Sequence, residues 1–399
     1  MQRKKYHELL EHLPKRELTV LIGARQTGKS TLLKQLAESL TASGETMVML
    51  NLERKDILLE LNENPENLFK YLPGRQTGRM FALIDEVQYL SDPTNFLKLL
   101  YDEYSDRLKL IVTGSSAFYI DRQFKDSLAG RKKIFELQTL DFEEFLMFQG
   151  QETELKELQR LRSGTVAQSV AEPRLWVALE AYLTYGGYPA VVLENDVKYK
   201  VERLHELKDS FVKRDMLESG VSDETKFYRL MMLLASQIGN LVNVNELSNT
   251  LQLTNVATDH FLYVLQKCFH LSLVRPFYQN LRKELIKMPK AYFLDTGLRN
   301  VLVNYFAPIE QRTDKGALLE NYVFRRLTEQ YAQSQIKFWR TADGNEVDFV
   351  VEETAFKGIA IETKFSSNEA NPNKYRKFTE TYPQFPLSFK SWGDRSLLL

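Results

Sequence analysis

The 399 residues, 43% hydrophobic and 27% charged, have the make-up of an ordinary water-soluble protein and suffice for about two to four domains with sizeable cores. The 53 Lys+Arg and 53 Asp+Glu cancel, so no global basic field draws the chain onto nucleic acid, although a local basic face stays open. A single cysteine, Cys268, excludes an intramolecular disulfide and a cysteine-rich zinc site, and reads as a small buried residue on a helix.

The first residues, Met1-Gln2-Arg3-Lys4-Lys5-Tyr6, lead into a mixed polar helix rather than an apolar signal core. No run approaches the roughly 18–20 apolar residues of a membrane span, so the expectation is a cytoplasmic protein with no membrane partner. Internal repeats and low-complexity tracts are not evident.

Residues 1–17 read as a helix leading to a strand, Leu18-Thr19-Val20-Leu21-Ile22. Then comes Gly23-Ala24-Arg25-Gln26-Thr27-Gly28-Lys29-Ser30, which fits G-x-x-x-x-G-K-[ST], the phosphate-binding loop. From Thr31 to Ala37 the leucines have helical spacing. Strand, glycine loop, helix is the context that motif needs. Gly23 and Gly28 let the backbone turn so that successive N–H groups point at phosphate oxygens. The helix start adds its positive dipole end. Lys29 would reach the β- and γ-phosphates, and the Ser30 hydroxyl can ligate Mg²⁺.

Met47–Leu52 reads as a second strand, and residues 53–72 as helical, broken at Pro65. Mg²⁺ also needs a carboxylate at the end of a neighbouring buried strand. Phe81-Ala82-Leu83-Ile84 supplies Asp85 and Glu86: Asp85 to hold the metal directly or through water, Glu86 to polarise the attacking water. An amphipathic helix at 96–101 precedes a further strand, Leu108–Thr113, which ends in Gly114-Ser115-Ser116. Strands alternating with helices imply a parallel sheet with crossover helices, and all three motifs fall at carboxyl ends, where such sheets bind nucleotides.

These residues resemble the AAA+-type P-loop ATPases, and specifically the bacterial and archaeal family whose ATPase domain precedes an uncharacterised conserved C-terminal region. The loop, Ile84-Asp85-Glu86-Val87-Gln88 and Thr113-Gly114-Ser115-Ser116 carry the resemblance. It implies ATP and Mg²⁺ as cofactors, Gly23 to Thr31 as the nucleotide cradle, and Ser115 or Thr113 as the γ-phosphate sensor, the alternative for these two being a hydroxyl that satisfies a turn. Leu128-Ala129-Gly130-Arg131 and the stretch Phe135–Leu146 match as well. They make Arg131 a candidate arginine finger, in its own chain or in a neighbouring subunit; the alternative is a solvated basic run with Lys132 and Lys133.

Residues 150–175 are polar and irregular and read as a boundary. Trp176–Leu183 is a helix ending at Tyr185-Gly186-Gly187-Tyr188-Pro189, a turn that opens a helical lid or is structural punctuation. Residues 197–219 form a charged amphipathic helix. Residues 225–280 read as a winged helix: helices at 230–239, 245–251 and 255–269, then a strand pair from Leu271. The exposed face of the third helix would carry Asn255, Thr258, Asp259, His260 and Tyr263, with one basic residue, Lys267, near its end: a weak footprint for DNA. Arg282, Lys283, Lys287 and Lys290 could form a wing that touches phosphate. Asp295, in Ala291–Leu298, is read as the cap of a helix that begins near Thr296.

The last ninety or so residues hold a second constellation. Glu320 sits on an amphipathic helix, Asp348 on the strand Glu346–Val351, and Glu362-Thr363-Lys364 ends another strand. This order resembles the PD-(D/E)XK nuclease fold. Asp348 and Glu362 would hold Mg²⁺, Glu320 would add to the shell, and Lys364 would orient water or stabilise developing charge; the alternative is a degenerate nuclease fold kept for structure or binding. Three carboxylates beside one lysine are costly to bury without a cation.

The expected class is α/β: an ATPase domain over 1–150, a helical lid over 170–222, a winged helix over 223–300 and a nuclease-like domain over 310–399. The expected function is Mg²⁺-dependent ATP hydrolysis that drives or times a change in the distal domains. An ATP-gated DNA nuclease and a non-hydrolysing switch that binds DNA or a protein are the alternatives, and a homo-oligomer is open.

Overall fold

The computed structural model describes residues 1–73, 78–114, 128–164, 171–221, 223–278, 284, 287–354 and 357–398. The chain divides into two units, Met1–Gln138 with Lys267–Phe269, and Thr139–Gln266 with His270–Leu399.

The first unit is built on five parallel strands: β1 (Leu18–Ile22), β2 (Thr46–Asn51), β3 (Met80–Asp85), β4 (Leu108–Gly114) and β5 (Lys132–Glu136). Their order is β2-β3-β4-β1-β5. Parallel strands need crossovers that cover both faces, so central strands are apolar throughout. β1 and β4 are buried along their whole length. Val20, Ile22, Ala82, Ile84, Leu110 and Val112 pack on one face with α3 (Lys55–Glu63) and α4 (Pro93–Tyr104). Leu21, Leu83 and Ile111 pack on the other with α1 (Lys5–His12) and α2 (Lys29–Ala42). The break expected at Pro65 is a 3₁₀ turn, Pro65–Tyr71.

β5 has no sequence forecast. It is an edge strand whose lysines are half-buried or exposed and whose Phe135 alone is buried, and lysines on an edge discourage pairing with another chain.

Lys109 is fully buried at the start of β4. Its Nζ donates to the Glu17 carbonyl and to the Lys15 carbonyl at 3.1 Å. Burial, then the Arg79 guanidinium, pulls its pKa from 10.5 down to about 7. Between pH 10.5 and 7 the unfolded chain holds a proton that the folded chain lacks, so this lysine costs stability progressively as pH falls through that window and levels off below it. Lys109→Met is expected to gain on wild type as pH is lowered from 9.5 to 7.5, by at most about 1.4 kcal/mol per pH unit. Urea midpoints of both proteins across that range check this. A difference that stays flat with pH would remove the titration of Lys109 from the account.

The second unit begins with helices α5 (Phe142–Phe148), α6 (Glu152–Arg162), α7 (Glu172–Tyr185), α8 (Pro189–Val192) and α9 (Val197–Ser219). The irregular stretch expected at 150–175 is largely helical. Leu158 and Leu161, three residues apart, bury one face of α6. Next come α10 (Glu224–Ser236), α11 (Val244–Leu251), α12 (Asn255–Lys267), β6 (Leu271–Pro276) and β7 (Lys290–Phe293), three helices followed by two strands. Then follow α13 (Thr296–Leu302), α14 (Lys315–Leu327), β8 (Ile336–Arg340), β9 (Glu346–Thr354), β10 (Lys357–Lys364), α15 (Arg376–Thr381) and β11 (Leu387–Ser391).

All six strands share one sheet, β11-β10-β9-β8-β6-β7. The boundary expected between 223–300 and 310–399 is therefore crossed by pairing: β6 lies antiparallel to β7 on one side and parallel to β8 on the other. An isolated hairpin would leave the far edge of β6 unsatisfied, and β8 fills it.

Gly186-Gly187 and Asp295-Thr296-Gly297 meet in this unit. The buried Asp295 carboxylate accepts the Leu298 N–H at 2.9 Å, capping α13 as expected, and the Gly187 N–H at 2.8 Å. Burial raises its pKa, and the two N–H groups counter part of that rise. Among the described residues no helix is long and apolar enough to cross a membrane.

Candidate functional site

The direction of crossover reverses in the first sheet: β1 leads away toward β2, while the chain from β4 returns past β1 to β5. A crevice opens outside the carboxyl ends at such a switch point. The glycine loop leaves β1 there, and Asp85 ends β3. β4 stands between them, so loop and carboxylate face each other across about 10 Å, two strand spacings.

The loop backbone is set by left-handed residues. Gly23 has φ 151°, Gln26 57° and Gly28 96°. A Cβ on Gly23 would stand 2.1 Å from the Leu137 carbonyl oxygen, so only glycine fits. Gly28 begins α2 with no side chain capping it, which leaves the positive end of the helix facing the crevice. Lys29, 5% exposed, folds into the loop and donates to the Gly23 carbonyl at 3.0 Å and the Ala24 carbonyl at 2.7 Å. The Thr27 hydroxyl donates to the Ala24 carbonyl at 2.9 Å. Ser30 is half-buried on the first turn and Thr31 exposed; Arg25 is buried.

Arg3 braces this loop, donating to the Thr27 carbonyl at 2.6 Å and the Gln138 carbonyl at 2.9 Å. Nothing near Arg3 in the sequence announces that contact across 24 residues.

Asp85 is 2% exposed. The Thr113 hydroxyl donates to its Oδ1, and the same hydroxyl oxygen accepts the Glu86 N–H at 3.1 Å. Thr113 on β4 thus ties the Asp85 carboxylate that ends β3 and the backbone N–H of Glu86 just beyond it to one point. Glu86 itself is left-handed, φ 61° and ψ 48°, a conformation that costs a non-glycine residue about 1–2 kcal/mol. The Gln88 amide donates to its Oε2. Ser115 lies outside the described residues.

Thr113→Val keeps the shape and removes the hydroxyl. Leaving buried partners unsatisfied costs about 1–3 kcal/mol, and here the partners are the Asp85 carboxylate and the Glu86 N–H. For the ATP hydrolysis expected from the sequence, turnover should fall about tenfold with ATP affinity nearly unchanged. Steady-state kinetics checks this, and a loss of affinity with unchanged kcat would contradict it.

Arg131 stands at the far end of the sheet. Its carbonyl accepts the Leu18 N–H at 2.8 Å, at the start of β1, and its guanidinium pairs with Asp102 at 2.8 Å. The five residues of β1 put about 17 Å between it and the loop. Of the two roles foreseen for Arg131, the one in its own chain does not fit.

The second constellation does assemble. Glu320 on α14, Asp348 on β9, and Glu362 and Lys364 on β10 converge, and Lys290 on β7 enters among them. Burial pulls the Lys290 pKa down, but Glu320, Asp348 and Glu346 outweigh it and hold the ammonium charged. Burial and the neighbouring Glu320 and Glu362 push Asp348 well above the usual carboxylate range, with Lys290 opposing. Lys290 was foreseen as a wing lysine that touches phosphate; it is 2% exposed instead. Lys287 is exposed, and Arg282 and Lys283 lie outside the described residues.

On α12 the exposed face carries Asn255, Val256, Asp259, His260 and Tyr263. Thr258, foreseen there, is buried, because it shares the inward face with Phe261 and Leu262.

Residues 15–146 match the family model of an AAA domain. Residues 177–308 and 315–391 match two domains of unknown function. An uncharacterized protein of Haemophilus influenzae is 26% identical over 370 residues, covering 89% of this chain and 85% of its own length. An uncharacterized protein of Methanocaldococcus jannaschii is 24% identical over 371 residues, covering 90% and 78%. Among solved structures, AMPPCP-bound DnaA from Aquifex aeolicus covers 67% of this chain and 89% of its own at 14% identity. Its TM-score of 0.34 is too low to bear on function. The AAA-domain match thus falls on the first unit, an α/β fold whose parallel sheet carries the glycine loop at the end of β1.

Proposed function

We propose that the first unit binds ATP with Mg²⁺ and hydrolyses it, and that the nucleotide state is relayed to the second unit. The observation that carries this reading is the Thr113 hydroxyl joining Asp85 and Glu86 across the crevice from the glycine loop. The residues present fit the cofactors. The uncapped start of α2 and Lys29 would take the phosphates, exchanging the Gly23 and Ala24 carbonyls for phosphate oxygens. Ser30 and Asp85 would hold Mg²⁺, which supplies charge neutralisation at the phosphates. Glu86 would orient the water and take its proton.

Arg131, about 17 Å away at the other end of β1, supports assistance in a neighbouring subunit rather than in its own chain. For the distal partner, a protein is favoured over DNA: the exposed face of α12 joins Val256, 78% exposed, and Tyr263, 39% exposed, to Asp259, whereas a phosphate-contacting face needs lysines and arginines. The absence of a long apolar helix among the described residues is in keeping with work in the cytoplasm.

The test is calorimetric ATP binding and phosphate release with Mg²⁺, over a range of protein concentrations, with and without DNA. Lys29→Ala removes a charged hydrogen bond worth about 1.5–3 kcal/mol and is expected to weaken ATP binding roughly 10–150-fold. Specific activity that climbs with protein concentration, and falls on Arg131→Ala, supports the shared finger. No release from any preparation that still binds ATP would leave a switch rather than an ATPase.

A further inference from the structure

Four carboxylates, Glu320, Glu346, Asp348 and Glu362, gather in the second unit. Such a group stays charged and buried only beside cations. In sequence three of them, Glu320, Asp348 and Glu362, suggested a divalent metal, and the side chains do not fit one.

Lys290 opens β7, pairs with Val274 on β6 and bridges to Leu241. Its backbone therefore has little freedom. Its Nζ lies 2.9 Å from Glu320 Oε1, 2.5 Å from Glu346 Oε1 and 3.9 Å from Asp348 Oδ1, and 5.5 Å from the centre of the Phe338 ring. The oxygens a metal would use are engaged elsewhere. Glu362 Oε1 accepts from Lys364 at 2.5 Å and from the Tyr375 hydroxyl at 2.6 Å. Glu362 Oε2 accepts the Asp348 N–H at 3.2 Å, and Asp348 Oδ2 the Thr363 N–H at 2.8 Å. Among the described residues no group of three His, Cys, Asp or Glu side chains is placed to hold a metal ion.

We infer that Lys290 is the resident cation of this cluster: its ammonium takes the place of a divalent metal, and the native chain does not cleave nucleic acid through a metal held here. Mg²⁺ and Mn²⁺ demand several oxygens in near-octahedral array, and a second cation beside a buried ammonium is repelled. The cluster instead fastens β7 to α14 and β9 without a metal. Removing the ammonium should leave carboxylates that a hard divalent cation can neutralise.

The test uses the full chain without nucleotide and Mn²⁺ as the probe, followed by electron paramagnetic resonance and thermal unfolding. Wild type and Asp348→Asn should bind Mn²⁺ alike. Lys290→Ala should unfold several degrees lower in a chelator, recover in millimolar Mn²⁺ and gain one Mn²⁺ site, which Asp348→Asn added to it removes. Mn²⁺ bound to wild type and lost in Asp348→Asn would overturn the inference, as would a folded Lys290→Ala or Lys290→Met that gains no site. Should neither Lys290 variant fold, the comparison of wild type with Asp348→Asn decides alone. This inference stands independently of ATP hydrolysis by the first unit.

Discussion

Glu86→Gln is expected to keep ATP bound and to slow phosphate release by about 10²–10⁴-fold, the usual worth of a positioned general base. The local structure makes the substitution clean. Glu86 is held by its backbone: a left-handed turn at φ 61° and an N–H donated to Thr113 Oγ1 at 3.1 Å. Neither depends on the charge of the side chain. The Gln88 amide that donates to Glu86 Oε2 would find a carbonyl acceptor on glutamine in the same place. What is lost is the ability to take a proton. The affinity for ATP should therefore stay within a few-fold of wild type while kcat collapses. Lys29→Ala should show the opposite emphasis, with binding impaired, because in the proposed site that ammonium would meet phosphate rather than water. Quench-flow or coupled phosphate release, beside calorimetric ATP binding, reads both. A Glu86→Gln protein that turns over within threefold of wild type would remove Glu86 from the chemistry and point to another base.

The parts of the fold that sequence made legible are those where one physical demand dominates. β1 and β4 are buried on both faces, and their unbroken apolar runs follow from that. The glycine loop is legible because Gly23 sits where any Cβ would strike the Leu137 carbonyl. The acid pair is legible because a buried strand ends there in two charges. Elsewhere several demands compete. β5 is half solvent-facing, so Lys132 and Lys133 disguise a strand as a basic run. Lys290 closes a basic stretch and reads as one more wing lysine, while its true partners lie 30 to 58 residues on in sequence, at Glu320, Glu346 and Asp348. Periodicity cannot report a contact across that separation. The same holds for Arg3 at the loop and for the pairing of β6 with β8. Arg131 shows the converse limit: a motif names a residue, but only the topology says at which end of the sheet it stands.

Gly297→Ala is expected to destabilise the second unit by about 3 kcal/mol or more, the upper range for forcing atoms into a filled site. A Cβ on Gly297 would stand 2.1 Å from the Tyr185 carbonyl oxygen and 2.9 Å from the Gly186 nitrogen. Both neighbours are backbone, so no side chain can swing aside. They are also fixed from elsewhere. The Thr296 hydroxyl donates to the Tyr182 carbonyl at 3.2 Å, and the Asn300 amide donates to the Leu183 and Thr184 carbonyls, each at 2.9 Å. Relief of the clash would have to pull α13 from the end of α7, breaking those bonds and the Asp295 bond to the Gly187 N–H. In a unit of this size about 3 kcal/mol corresponds to roughly 6–12 °C in Tm. Gly344→Ala is the control. Gly344 also has a left-handed backbone, φ +86°, but nothing lies within 4 Å of its would-be Cβ, so it should cost only the conformational term of about 1–2 kcal/mol. Calorimetry of the two variants separates crowding from backbone preference. Equal costs would mean that the Gly-Gly turn and the Asp-Thr-Gly turn do not press together. A Gly297→Ala protein with wild-type Tm and lost turnover would mean something else again: that these glycines, assigned here to holding α7 against α13, take part in the ATP cycle.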